Sequence, residues 1–409
     1  MGVREDAKRI WQAAISAVQP DSAVRRALET ASLTGNIHLV AIGKAAWSMA
    51  NAAFEALGNA ILDGVVITKY DHSRGQIGNL QIFEAGHPVP DENSYRATRA
   101  AMELVRPLGK DDTVLFLVSG GGSALFECPL IPEAEMADVT KQLLACGADI
   151  VEMNTIRKRL SGVKGGRFAE LASPAKVFSV VLSDIIGDPL DMIASGPAYP
   201  DSSTCEDAMR IAEKYDLRLS DSARSLLAQE TPKTLSNVET QITGSVRELC
   251  AAAEKEASTL GYTCTLLTDC LCCQAREAGS FLASIAKTYA GTEKSLAFLA
   301  GGETVVKLTG TGLGGRNQEL ALAAAPGIFG LKDTAVFSFG SDGTDGPTDA
   351  AGGMVDGETE EKLRARGLRT ADVLQENDSY HALEKVDGLI VTGATGTNVN
   401  DLAMVLIRR

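Results

Sequence analysis

The chain has 409 residues, of which 45% are apolar and 22% charged, with a formal net charge of −14. This is a globular composition long enough for two or three domains with sizeable cores, and no apolar run reaches the roughly 18 residues of a membrane span. The acidic balance argues against nucleic acid or an anionic membrane as partner, yet leaves room for a small anion held by local Lys and Arg.

The opening Met1-Gly-Val-Arg-Glu-Asp6 carries acids and no apolar signal segment, so the expected location is the cytoplasm. The eight cysteines then read as reduced thiols; only Cys270, Cys272 and Cys273 cluster. Ala7, Ile10, Trp11, Ala14, Ile15 and Val18 keep helical spacing up to Pro20. A strand is expected over 36–42, then Gly43-Lys44 and an alanine-rich helix to Leu57. Short strands follow at 64–67 and 80–84, a proline-stiffened turn at Gly86–Asp91, and a helix over 94–105. Val114-Leu-Phe-Leu-Val118 reads as a strand buried on both faces, running into Ser119-Gly-Gly-Gly-Ser123. Those glycines permit φ > 0 and close approach of a ligand, and the turn's amides suit an anion; a tight turn without a ligand is the plain alternative. Residues 154–172 carry Arg157, Lys158, Arg159, Lys164 and Arg167 and read most simply as an exposed basic helix face broken by glycines.

Val177–Leu182 is the next expected strand, with Ser183-Asp184 at its end and Asp188 and Asp191 in the loop beyond. Thr231–Asn237 is polar and holds a proline, so it serves as the linker between domains at 1–235 and 236–409. Strands are then expected at 238–242, 263–267, 295–300, 304–308, 335–339 and 388–391. Alternation of strand and helix predicts three-layer α/β domains with mostly parallel sheets. In such sheets ligands bind beyond the C-terminal strand ends. Those ends carry Gly43-Lys44, Ser119–Ser123, Ser183-Asp184, Gly301-Gly-Glu303, Gly340–Gly346 and Thr392–Asn398. Glycine and hydroxyl groups hold phosphate oxygens, clustered Asp suits Mg²⁺, and Lys44 and Arg316 supply positive charge. Together these are the parts of phosphoryl transfer. His87 and His381 stand apart and read as structural. Gly310-Thr-Gly-Leu-Gly-Gly315 fits a dinucleotide fingerprint, with Asp333 18 residues further on, so a dehydrogenase stays open. A metabolite-binding protein without turnover is a third reading.

The ordered motifs resemble the glycerate 2-kinases of the MOFRL family. They include Gly43–Trp47, Gly86–Pro90, Ser119–Leu125, Arg157-Lys158 and Lys164–Gly166. Ser183-Asp184, Ile193–Pro197, Gly301–Glu303, Gly314–Glu319, Asp345–Gly352 and Thr395–Asp401 complete the set, which covers nearly the whole chain. The resemblance implies a Rossmann-like N-terminal domain, a mixed-sheet C-terminal MOFRL domain and a cleft between them. It implies ATP-dependent, divalent-cation-assisted phosphorylation of D-glycerate at O2, with the oligomeric state open, a homodimer included. Lys44, Arg316 and Asp184 are the expected catalytic residues. Ser119, Gly120, Gly121, Gly122, Ser123, Gly301, Glu303 and Asn317 are expected at the nucleotide, and Asp188, Asp342 and Asp345 at Mg²⁺. The chain departs from the family pattern at Arg159, where His is usual, at Pro189, where a second Asp is common, and at Ser341, where Thr is usual. Some family members carry a hydroxypyruvate reductase label, which keeps the dehydrogenase alternative in view.

Overall fold

The computed structural model describes residues 2–409. The chain divides into two compact units. The first comprises Ala23–Ser183 and Asp188–Thr243; the second comprises residues up to Ser22, Asp184–Gly187 and Gly244–Arg409.

The first unit is built on β1 (Asn36–Ile42), β2 (Ile61–Lys69), β3 (Gln81–Ala85), β4 (Asp112–Val118), β5 (Lys176–Leu182) and β6 (Val238–Gly244). Their spatial order is β3-β2-β1-β4-β5-β6, the doubly wound Rossmann order. β1 lies parallel between β2 and β4. Every residue of β1, β4 and β5 after the first is buried, so both faces of this sheet are covered. Strand order reverses between β1 and β4, and Gly43 and Ser119 follow these two strands directly. A satellite core of Met136, Val139, Leu143, Ile156, Leu160, Ile211 and Leu227 seats the helix Ile150–Leu160. That helix starts at a capping box: Asp149 accepts from the Glu152 amide at 2.9 Å while Glu152 accepts from the Asp149 amide at 3.1 Å.

The second unit contains β7 (Thr263–Leu271), β8 (Leu296–Gly302), β9 (Thr334–Gly340), β10 (Gly352–Asp356), β11 (Leu389–Ile390) and β12 (Asp401–Ile407), ordered β11-β10-β9-β12-β8-β7. β7 and β8 are parallel and every other pairing is antiparallel, so the sheet is mixed. β9 and β12 are buried throughout. The N-terminal helix Val3–Ala17 packs here as well, Trp11 meeting Phe337 edge-on at 5.9 Å.

Several expectations shift. The strand after the expected linker, β6, belongs to the first sheet, so the contact pattern does not follow a single cut after residue 235. Residues 304–308 form no strand; Val305 makes one isolated bridge to Gln274, and Val305 and Leu308 stay exposed. β10 and β12 were not expected. Two glycines weaken the strand pattern of β10, and the unbroken apolar run of β12 suits a helix equally well. The basic stretch is not a solvated face: Lys158, Arg159 and Lys164 are all buried.

Candidate active site

At the point where strand order reverses, the loops after β1 and β4 are tied together. The Lys44 amide donates to the Gly120 carbonyl at 2.9 Å, and the Ala45 amide to Ser119 Oγ at 3.1 Å. The approach is close enough to demand glycine: Gly43 has φ +110°, and a Cβ there would lie 2.4 Å from the Ser119 carbonyl oxygen. Gly121 sits at φ +85°, with His87 and the Lys44 side chain 3.0–3.2 Å from where its Cβ would be. The amides of Gly120, Gly121, Gly122 and Ser123 meet no acceptor among the described residues.

Around this loop the charge is positive. Lys44 forms no ion pair among the described residues. Its carbonyl accepts from Thr68 Oγ1 at 3.2 Å and from His72 Nδ1 at 3.1 Å. Partial burial lowers the pKa of His87, and the charges of Lys44, Lys69 and His72 lower it further. His87 therefore faces the loop instead of standing apart. Four bare amides beside a lysine without an ion-pair partner have the chemistry to accept an anion.

Side chains that the sequence left unassigned hold the loop from beneath. Lys164 Nζ donates to the carbonyls of Ser123 at 2.9 Å and Phe126 at 2.8 Å. Arg157 Nη2 donates to the same Ser123 carbonyl at 3.2 Å. Ser123 Oγ lies 2.9 Å from Ser195 Oγ, which in turn donates to Asn154 Oδ1.

The second unit centres on Arg316, the first residue of the helix Arg316–Ile328. Asp401, at the start of β12, accepts from its Nε at 2.5 Å and its Nη2 at 3.0 Å. Glu303 lies 3.1 Å from Nη1. Burial works against the guanidinium charge, but Asp401 and Glu303 outweigh it and raise the pKa. Asn400 Nδ2 bridges Glu303 and the Asp184 carbonyl at 3.3 and 3.2 Å. Arg316, Glu303, Asp184 and Asp401 thus gather in one constellation. Beside it lies a cavity of about 760 Å³, lined among others by Val305, Val306, Leu308, Arg316 and Asn377. Gly310 and Gly312 border it in a loop held from behind. Asn377 Oδ1 accepts from the amides of Thr309 and Gly310 at 2.7 and 2.9 Å, and the Gly312 amide donates to the Glu376 carbonyl at 2.8 Å. The strand that a dinucleotide fingerprint requires before these glycines is absent.

A family model described as a domain of unknown function, DUF4147, matches residues 6–228, and the MOFRL family model matches residues 296–401. Over 404 residues the chain is 53% identical to a D-glycerate 2-kinase of Thermotoga maritima, covering 97% of each protein. The chain belongs to the MOFRL family of glycerate 2-kinases. A crystal structure of a glycerate kinase from the same organism superposes with a TM-score of 0.95, covering 98% of this chain and 99% of that one. A protein of Agrobacterium vitis with the provisional name hydroxypyruvate reductase is 39% identical, covering 91% of this chain and 100% of that protein.

Within this MOFRL-family chain the remaining expected residues fall into two kinds. Asn317 and Gly301 serve the scaffold. Asn317 is buried and accepts from Ser338 Oγ at 2.6 Å, and a Cβ on Gly301 would meet Cys250 Sγ at 2.5 Å. Asp345 caps the Arg316 helix, accepting from the amides of Asn317 at 3.1 Å and Gln318 at 2.8 Å. Burial raises its pKa to about 6, those two amides oppose the rise, and Asp401 adds to it. A carboxylate so engaged does not suit a cation. Asp342 Oδ1 accepts from the Thr344 amide at 3.0 Å, and Asp188 belongs to the first unit at φ +52°. Among the described residues no group of three His, Cys, Asp or Glu side chains is placed to hold a metal. The three acids do not fit a protein-built Mg²⁺ cage. Such an ion in kinases is commonly held by substrate phosphates with one or two carboxylates.

Proposed function

We propose that this chain transfers the γ-phosphoryl group of ATP to O2 of D-glycerate. The observation that carries the reading is the unpaired Lys44 ammonium beside the four unpartnered amides of the Ser119–Ser123 loop. The kinship with a D-glycerate 2-kinase over nearly the full length supports it. The loop amides hold phosphate oxygens, and Lys44 meets the charge spread over the transferring phosphoryl group. Arg316, held by Asp401 and Glu303 yet about one-third exposed, presents its open edge to the substrate carboxylate. As O2 bonds to the γ-phosphorus, the bond to the bridging oxygen of ADP breaks and the hydroxyl proton passes to Asp184. A cytoplasmic location fits eight free cysteines.

The test is a pair of incubations with product analysis. ATP, Mg²⁺ and D-glycerate should yield ADP and 2-phosphoglycerate. Appearance of 3-phosphoglycerate would move the attack to O3. NADH oxidation with hydroxypyruvate, without ADP formation in the first incubation, would replace the reading with a reductase.

A further inference from the structure

Lys164 has no solvent exposure, and it lies 38 residues beyond Phe126, one of the two carbonyls it holds. Its three ammonium directions are all engaged: the carbonyls of Ser123 and Phe126, and Glu127 Oε2 at 3.0 Å. Glu127 is itself only 1% exposed, and its Oε2 lies 3.7 Å from Arg157 Nη2 as well. Burying such a pair is costly, and an apolar pair of similar volume holds a core at least as well. Core stability alone therefore gives a poor account of the two charges. Their geometry gives a better one. The Ser123 carbonyl closes the run of bare amides, and Lys164 and Arg157 both donate to it. Fixing that carbonyl restrains the Ser123–Ala124 peptide, whose amide donates to the Gly121 carbonyl at 3.2 Å and so ties the clamp back to the glycines.

We infer that Lys164 is a positioning residue for phosphate binding: its buried ammonium, oriented by Glu127, clamps the Ser123 and Phe126 carbonyls so that the Ser119–Ser123 amides stay arrayed for the nucleotide. The inference rests on the reading of that loop as the phosphate site. The charged and titratable groups facing Lys164 are Glu127, Arg157 and Cys128. Burial lowers its pKa to about 8, Glu127 opposes the fall, and Arg157 adds to it. Rising pH through that range removes the charge from the clamp.

The experiment compares wild type, Gly121→Ala and the double variant Lys164→Met with Glu127→Gln, which removes both charges of the buried pair and leaves Arg157 its bond to the Ser123 carbonyl. Circular dichroism and thermal midpoints establish that each folds; initial rates give KM for ATP, KM for D-glycerate and kcat, each across pH 6–9.5. The expected result is that the double variant folds but shows a KM for ATP raised ten-fold or more, with KM for D-glycerate within two-fold. In wild type kcat/KM for ATP falls above pH 8, and in the double variant that alkaline limb is lost. If the double variant keeps a wild-type KM for ATP while Gly121→Ala raises it, the loop binds phosphate and the Lys164 inference is overturned. If neither variant changes KM for ATP, the reading of the loop fails and the inference falls with it. A double variant that does not fold also overturns it, since the pair would then serve the core.

Discussion

Arg316 and Asp401 form a two-point ion pair that joins the start of the helix Arg316–Ile328 to the start of β12, with contacts of 2.5 and 3.0 Å. Asp401 is nearly fully buried, so its carboxylate is tolerable only with that partner. Asp401→Asn keeps the shape and removes the charge. It should destabilise the second unit by about 2 kcal/mol, because a charge-assisted pair is lost while Arg316 retains Glu303 and some solvent. Urea denaturation followed by far-ultraviolet circular dichroism checks this; an unchanged midpoint would mean the pair adds nothing to the fold.

Lys44 offers a contrasting case. Its ammonium has no ion-pair partner among the described residues, so truncation strands no charge. Lys44→Ala should keep the wild-type thermal midpoint and cut kcat by on the order of 10²-fold or more if the ammonium meets developing charge. Turnover near that of wild type would remove Lys44 from the mechanism.

Asp345 makes stability depend on pH in an unusual direction. Its pKa is about 6 in the fold, against an ordinary 3.8. Between those values the folded chain holds a proton that the unfolded chain has released, so this group's contribution falls as pH rises. The gap corresponds to on the order of 3 kcal/mol at about 1.4 kcal/mol per pH unit. The stability difference between wild type and Asp345→Asn should therefore be most favourable to wild type at pH 4 and shrink by that order by pH 7. A difference that stays flat across the range contradicts the assignment.

Asn377 holds the glycine loop beside the cavity by accepting two consecutive amides, and its Nδ2 donates to Glu319 at 3.1 Å. Asn377→Ala leaves the amides of Thr309 and Gly310 without their acceptor, a cost of about 1–3 kcal/mol. Hydrogen exchange should show faster labelling at 309–310 and little change in β9 and β12. Uniform acceleration would instead indicate a global loss of stability.

The architecture was readable where physical signals were local. Val114–Val118 is uninterrupted apolar sequence ahead of glycines, and it forms β4 and its loop. The Gly43-Lys44 and Ser119–Ser123 strand ends stood out because they follow unbroken apolar runs, and the fold brings the two together where strand order reverses. What escaped was non-local. The basic residues at 157–167 look solvated until Glu127, Asp191 and Asp201 are placed beside them by the fold; Lys158, for example, lies 3.0 Å from Asp201. Asp345 resembles a metal ligand until the helix at Arg316 claims its oxygens. Val305 and Leu308 carry a strand pattern, but their apolar surface borders a cavity.

The second unit joins segments far apart in sequence, because the helix Val3–Ala17 packs there and β12, Asp401–Ile407, sits between β8 and β9. Trp11 reaches Phe337 only when the long loop of chain between them closes, at a cost in chain entropy. Contacts so far apart in sequence form slowly compared with local helices, so this unit is expected to assemble after its helices have formed.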